Sequence, residues 1–212
     1  MKKNLIHLGI YLLITITLLS INATSLLQKP TLKEGDYWLY EFHTTNENNL
    51  NYSYHGIINI TIKRKTTIQI QGITYHTIPL TETHNVTLIY NETEGTRNYI
   101  LTKYLNENDL SLIMYTKNVT NTGEYYTAYV NPPLKYPWPI ETGKKWENNY
   151  TIKKVEKNGN TTLLNYTYTY NCTGMKTITT DAGTFNCYVV EIISPRGYES
   201  RSVRYYSPEV GY

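Results

Sequence analysis

After residue 25 the chain contains no long stretch in which apolar residues recur every 3.6 positions, the period of an amphipathic helix. It consists instead of short runs of β-forming residues separated by clusters of turn formers. The last third shows this most clearly, because the runs MKTITT, FNCYVVEII and RSVRYY are separated by DAGT and SPRGYES. This pattern predicts an all-β protein whose strands form an antiparallel meander.

The same reading predicts eight strands before residue 131, at 36–45, 53–63, 66–71, 72–82, 85–90, 98–105, 110–117 and 124–130. Residues 131–139 (NPPLKYPWP) hold four prolines, so they are predicted to form a loop that crosses to the last strands. Trp138 and Trp146 would cover one end of the core beside this loop. The expected organisation is a linker at 26–35 followed by a single β domain at 36–212.

Several short motifs of the last third resemble the C-terminal signature of TapB-like proteins, a family of secreted bacterial and archaeal proteins. The resemblance covers about residues 133–212 and rests on WPIETGKKW at 138–146, Gly174, Thr177, AGTF at 182–185, Tyr188 and YSPEVG at 206–211. It implies a curved antiparallel sheet, half-barrel or partly open barrel similar to lipoprotein carriers, with no established enzyme activity. In contrast to lipid-anchored proteins, the chain has no lipobox cysteine near its N-terminus.

The N-terminus has the order of a secretory signal peptide. Lys2 and Lys3 precede an apolar run from Leu5 to Ile21, and small residues follow at 23–25. Cleavage is expected after Ala23 or Ser25, although the run is nearly long enough to remain as a membrane anchor. Either outcome makes the protein secreted or cell-surface, with membrane association only through an uncleaved N-terminal segment.

Ten Asn-x-Ser/Thr sequons support export, since chance placement in this composition would give about four. An Asn- and Thr-rich chain with alternating strands would also generate sequons without glycosylation. Besides Asn22 in the leader, the predicted glycosylation sites are Asn51, Asn59, Asn85, Asn91, Asn118, Asn149, Asn160, Asn165 and Asn171.

The net charge argues against nucleic acid as a partner. Without Lys2 and Lys3 the formal charge falls from +3 to +1, and the basic runs are short. The run at 63–65 is expected at a solvent-exposed hairpin tip.

Cys172 and Cys187 are predicted to form a disulfide, the usual state of cysteines in an exported chain. The spacing complicates this pairing. If Thr180 pairs with Thr184, Cys187 lies opposite Thr177, about 16 Å along the strand from Cys172. A bulge at 173–174 would have to bring the thiols together, and the alternative is two buried thiols.

The sequence offers little for catalysis. His43, His55, His76 and His84 follow no metal-binding spacing, and neither a nucleophile motif nor a phosphate loop is present. We therefore expect no metal, no cofactor and no enzyme activity. The alternative is an exported hydrolase with a carboxylate pair, although most carboxylates are expected in solvent: Glu41, Glu82, Glu92, Glu94, Asp109, Glu141, Glu191 and Glu199.

Tyrosine is the remaining distinctive feature, with 23 residues. Tyr166, Tyr168 and Tyr170 alternate along one strand, so they share one face, opposite the sequons Asn165 and Asn171. A glycan must project into solvent, which would turn the tyrosines inward. They are the predicted ligand face, for lipid or carbohydrate, although tyrosine also suits half-buried strands without any ligand.

The sequence therefore favours an exported binding or structural β module at the cell surface, with lipid, carbohydrate or other envelope proteins as its partners.

Overall fold

The computed structural model describes residues 27–46, 49–91, 93–194 and 200–208. The predicted leader and its sequon Asn22 lie outside these residues. The described part contains eleven strands: β1 (Tyr37–Asn46), β2 (Asn49–Ile62), β3 (Thr66–Ile70), β4 (Ile73–Tyr90), β5 (Thr93–Asn106), β6 (Leu112–Val119), β7 (Glu124–Leu134), β8 (Lys145–Glu156), β9 (Thr161–Thr180), β10 (Gly183–Ser194) and β11 (Ser200–Tyr206).

All eleven strands belong to one antiparallel sheet, which confirms the predicted all-β meander. The spatial order follows the chain from β1 to β11, except that β3 leaves the path and pairs only with β4. The sheet is curved and does not close into a barrel, so β1 and β11 are its edges. In the described residues we find no helix of the length and apolar character that crossing a membrane requires.

Residues directly opposite each other on neighbouring strands point to the same face of a sheet, so the register assigns every strand residue to one of two faces. One face contains the buried apolar side chains of Ile60, Leu80, Val130 and Val190. We call it the inner face. The opposite face, called the outer face, bears mostly threonine, asparagine and exposed side chains.

The inner face packs into three clusters along the sheet. The first involves β1, β2, β4 and β5, the second β7 and β8, and the third β9, β10 and β11. Their most buried members include Ile62, Leu80, Ala128, Ile140, Cys172 and Val190.

The segment before β1, predicted as a linker, contributes to this core. Leu27 packs in the third cluster and Leu32 in the first, so the segment spans the inner face from one to the other. Leu27 also forms an antiparallel bridge with Ile140 of the loop after β7. The Nζ of Lys29 donates to the carbonyl of Asn108 at 2.6 Å. The segment therefore ties distant strands together.

Several strand boundaries differ from the prediction, and two of the differences change the organisation of the sheet. The predicted strands 72–82 and 85–90 are one strand, β4, because Thr83 pairs with β2 on one side and β5 on the other. β7 runs to Leu134, through the first two prolines of the predicted loop. The pairing of β7 with β8 ends at Asn131. Proline has no N–H group to donate, and Pro132 and Pro133 lie beyond the part of β7 that pairs with β8.

In the turn between β9 and β10, Gly183 has a left-handed conformation, with φ +138°. Thr180 is paired with Gly183, and its hydroxyl accepts the N–H of Ala182 at 3.2 Å. Thr180 therefore caps this turn. At 63–65, the predicted basic hairpin tip is an exposed loop between β2 and β3.

Candidate functional site

The tyrosines predicted as a ligand face lie on the inner face of β9. Tyr170 is only 4% exposed, whereas Tyr166 and Tyr168 are half-buried. Asn165 and Thr169, at the alternate positions, are exposed on the outer face, as period-two alternation requires.

Neighbouring β8 extends this row into a ladder. Trp146 lies opposite Tyr170, and Tyr150 lies opposite Tyr166. The Trp146 and Tyr170 rings are stacked with centroids 4.9 Å apart, and Tyr150 stacks on Tyr166 at 5.5 Å and on Tyr168 at 6.1 Å. We call Trp146, Tyr150, Tyr166, Tyr168 and Tyr170 the aromatic ladder.

One end of the ladder is closed by the loop after β7. The ring of Tyr136 packs edge-on against Tyr170 at 6.0 Å, and its hydroxyl accepts a hydrogen bond from Tyr206 at 3.1 Å. Burial and the neighbouring Tyr136 raise the pKa of Tyr170 to about 12. Tyr170 therefore belongs to the packed core, and the half-exposed part of the ladder is at Tyr166 and Tyr168.

Two indole groups near this closed end are buried without an acceptor. The Nε1 atoms of Trp138 and Trp146 have no hydrogen-bond partner among the described residues. A buried donor without a partner costs roughly 1–3 kcal/mol, so an acceptor from outside the protein would be favoured here.

Towards the middle of the sheet the inner face carries alternating tyrosines and lysines. The Nζ of Lys117 lies 4.1 Å from the ring centroid of Tyr99, and that of Lys154 lies 4.4 Å from the ring of Tyr126. Lys154 is also 2.9 Å from the Glu156 carboxylate. We call Tyr99, Lys117, Tyr126 and Lys154 the charged band.

Lys117 is included in no described salt bridge, whereas Arg97, Lys103 and Lys154 of the same face each have a carboxylate partner. The pKa of Lys117 is lowered mainly by burial. The positive charges of Arg97 and Lys154 lower this pKa further, and the negative charge of Glu124 raises it. An anion placed beside Lys117 would therefore be stabilised.

Beside this band lies a buried cluster of charged groups that was not predicted. Glu82 was expected in solvent, and this expectation is wrong, since the residue is only 6% exposed. One carboxylate oxygen is 3.0 Å from the Nε2 of His84, and the other contacts the Nζ of Lys103. The His84 ring is stacked on Tyr99 at 4.2 Å, which joins the cluster to the charged band.

The environment of Glu82 decides its ionisation. Burial alone would raise the pKa of the carboxyl group, but the hydrogen bond with His84 and the charge and hydrogen bond of Lys103 outweigh burial. The resulting pKa lies below the ordinary value of 4.5. Burial of Tyr99 raises the pKa of its hydroxyl group, and the negative charge of Glu82 raises it further. Glu82 is therefore an ionised, internally paired carboxylate.

The sequence did contain a signal for this cluster. Glu82 and His84 continue the inner-face alternation of Ile78 and Leu80, and Lys103 interrupts a similar alternation on β5. Polar residues at apolar positions of two adjacent strands are expected to pair with one another.

The predicted disulfide is absent, which corrects that prediction. Cys187 lies opposite Lys176 and Cys172 opposite Val190, so the two cysteines are offset by several residues along the strands. The bulge expected at 173–174 exists, since the register shifts between Val189 and Val190, but it does not bring the sulfurs together. Both residues are buried. Strand spacing rather than the redox environment thus decides their state.

Most predicted glycosylation sites are accessible. Asn171 is half-buried, and the side chain of Asn51 is outside what the structure describes. The exposed ones are Asn59, Asn85, Asn91, Asn118, Asn149, Asn160 and Asn165.

The outer face has a cavity of its own, of 510 Å³, between the β3–β4 hairpin and strands β7 to β9. Gln69, Ile73 and Tyr75 line it from the hairpin, and Lys153 and Leu163 line it from the sheet. It lies on the face that bears the sequons, where glycans would compete for the space.

Within the described ranges no three His, Cys, Asp or Glu side chains are grouped so that they could hold a metal ion. Comparison with protein-family models, with curated proteins and with solved structures gave no match. The resemblance to TapB-like proteins therefore stays a prediction.

Proposed function

We propose that this chain is an exported, non-enzymatic binding module whose inner face holds an amphiphilic, lipid-like ligand with an anionic head group. The observation that carries the proposal is the continuity of the aromatic ladder with the charged band. Tyr166 of the ladder and Tyr126 of the band pack against the same buried cluster of β7 and β8. Lys154 lies over the Tyr126 ring, and Lys117 lies opposite Tyr126 on β6.

The ladder suits a lipid better than a carbohydrate. A sugar that stacks on an aromatic side chain needs the flat face of the ring. The Tyr150 ring is stacked on the rings of Tyr166 and Tyr168, with interplanar angles of 21° and 12° respectively. These rings use their faces on one another, so the surface they leave consists of ring edges and hydroxyl groups. An acyl chain can pack against such edges without specific geometry.

The charged band favours an anionic head group. Lys103 and Lys154 already have carboxylate partners, but Lys117 has none among the described salt bridges and lies near Arg97. A carboxylate or phosphate at Lys117 would offset the burial and charge repulsion that lower its pKa.

The alternative is a hydrolase that uses Glu82, and the buried contact of Glu82 with His84 is the observation in its favour. A catalytic acid of this kind needs a raised pKa, whereas the pKa of Glu82 is lowered. The carboxylate is also engaged by Lys103 and His84. A structural role for the cluster is therefore favoured.

The test is titration with cis-parinaric acid, a fluorescent anionic fatty acid, alongside the uncharged cis-parinaryl alcohol. The parent should bind the acid saturably and more tightly than the alcohol. Tyr168→Ala should weaken both, and Lys117→Met should weaken the acid selectively. Tyr125→Ala, on the outer face and 40% exposed, is the matched control and should change neither. Equal binding by all variants, or no saturable binding by the parent, would refute the proposal.

A further inference from the structure

The predicted glycosylation sites within strands fall on the outer face wherever the structure describes the asparagine side chain, which excludes Asn51 of β2. Asn59 lies opposite Thr83, Asn85 opposite Asn98, and Asn118 opposite Ile100. Paired residues of neighbouring strands point to the same face, so these three asparagines share the outer face. The pairings from β6 through β7 to β8 and β9 extend this assignment to the remaining sites. The six sites are Asn59, Asn85, Asn118, Asn149, Asn165 and Asn171.

The same face exposes large apolar side chains directly beside these asparagines. Leu39, 66% exposed, lies opposite Asn59, and Ile57, 46% exposed, lies opposite Asn85. Asn118 has the exposed Ile100 opposite it on β5 and the exposed Tyr125 opposite it on β7. Large apolar side chains exposed together on one face of a protein mark a surface that is normally in contact with something else. Here the sequons themselves indicate what covers it.

Two sequons on β8 and β9 are joined by hydrogen bonds between their side chains. The hydroxyl of Thr167 donates to the Oδ1 of Asn149 at 2.6 Å, and that of Thr151 donates to the Oδ1 of Asn165 at 2.8 Å. Thr167 is the third residue of the Asn165 sequon, and Thr151 is the third residue of the Asn149 sequon. Each sequon therefore donates a hydrogen bond to the asparagine of the other. These hydrogen bonds hold the side-chain oxygens, whereas a glycan attaches at the nitrogen. The Nδ2 of Asn149 also donates to the Glu147 carboxylate at 2.5 Å, and modification of Asn149 would replace that hydrogen bond.

We propose that the outer face is a glycan-covered face, on which N-linked glycans at these six positions shield the neighbouring apolar side chains and leave the inner face as the surface open to ligands. The glycan is transferred from a lipid-phosphate-linked sugar donor. The bond between Asn Nδ2 and the sugar C1 forms, the bond from C1 to the donor phosphate oxygen breaks, and the amide proton leaves with the lipid phosphate. This inference rests on the proposed export of the chain.

The experiment compares the parent with the triple variant Asn59→Gln, Asn85→Gln, Asn118→Gln, both purified from the protein's own host. Mass spectrometry of the parent should show glycans on the outer-face sites. The triple variant should lose three of them and show a rise of about twofold or more in Nile red fluorescence, together with self-association in sedimentation. Asn98→Gln is the matched control, because Asn98 lies on the same face opposite Asn85 but is not in a sequon.

Unmodified asparagines in the host-purified parent would overturn the inference, and so would a triple variant whose dye binding equals that of the control. Binding of cis-parinaric acid, measured on monomeric protein, should be the same in the parent and in the triple variant. Failure of the glycan inference is therefore distinguishable from failure of the inner-face proposal, which the fatty-acid titration tests by itself.

Discussion

Replacing Lys103 by methionine tests whether the buried charged cluster stabilises the fold. Methionine keeps most of the apolar stem of the lysine and removes its charge, which leaves Glu82 buried with His84 as its remaining partner. Removing one partner of a buried ion pair costs about 3–5 kcal/mol. The Lys103 side chain is 25% exposed, and His84 remains in place, so we expect a smaller loss of about 2–3 kcal/mol.

For a domain of this size that loss corresponds to a decrease of about 5–10 °C in the melting temperature at pH 7, measured by circular dichroism. The pH dependence gives a sharper test. Because the folded-state pKa of Glu82 is lowered, its contribution is present above the ordinary value of 4.5 and is lost as the pH falls through the folded pKa. The difference between parent and Lys103→Met should therefore be large at pH 7 and shrink at acidic pH.

The control is Glu107→Gln, which removes an ion pair with Lys65 on the protein surface. Its melting temperature should equal that of the parent, since exposed pairs contribute little. The double variant Glu82→Met, Lys103→Met should recover part of the loss, because an apolar pair leaves no uncompensated charge between the two positions. A Lys103→Met variant as stable as the parent, or a loss that is the same at every pH, would refute this account of the cluster.

Three further predictions concern backbone and tyrosine. Gly56→Ala should cost about 3 kcal/mol, because a Cβ there would lie 2.1 Å from the carbonyl oxygen of Asn85, and Gly95→Ala, with open space around it, should unfold like the parent in urea. Gly183→Val should cost about 1 kcal/mol or more, since the residue has φ +138°, and an unchanged melting temperature would contradict that conformation. The raised pKa of Tyr170 stabilises the fold below pH 10, so the urea midpoint should fall as the pH rises towards 12, and a flat profile over that range would show that the tyrosine is not buried.

The fold class and the shared face of the tyrosines follow from alternation alone. Tyr166, Tyr168 and Tyr170 are two residues apart on one strand, and no tertiary information is needed to place them together. Their partners Trp146 and Tyr150 depend on the register between β8 and β9, which is set by turn geometry and packing along both strands. The sequence thus predicts three of the five residues of the aromatic ladder.

Other features could be predicted only with knowledge of which residues, far apart in the chain, are paired in the sheet. The disulfide prediction failed because the offset of Cys172 from Cys187 is fixed by the β9–β10 register. The core role of Leu27 depends on its bridge with Ile140, more than a hundred residues away in the chain. The Glu82 cluster, in contrast, was readable in principle, since Glu82 and Lys103 occupy inner positions of otherwise apolar alternations.

The central claim is that the inner face binds an amphiphile, and native mass spectrometry of the protein purified from its own host tests it most directly. The parent should appear with one amphiphile per chain in addition to its glycans, and Tyr168→Ala should have the same glycans without the bound mass. A parent without any bound amphiphile, or a Tyr168→Ala variant that retains it in full, would contradict the claim.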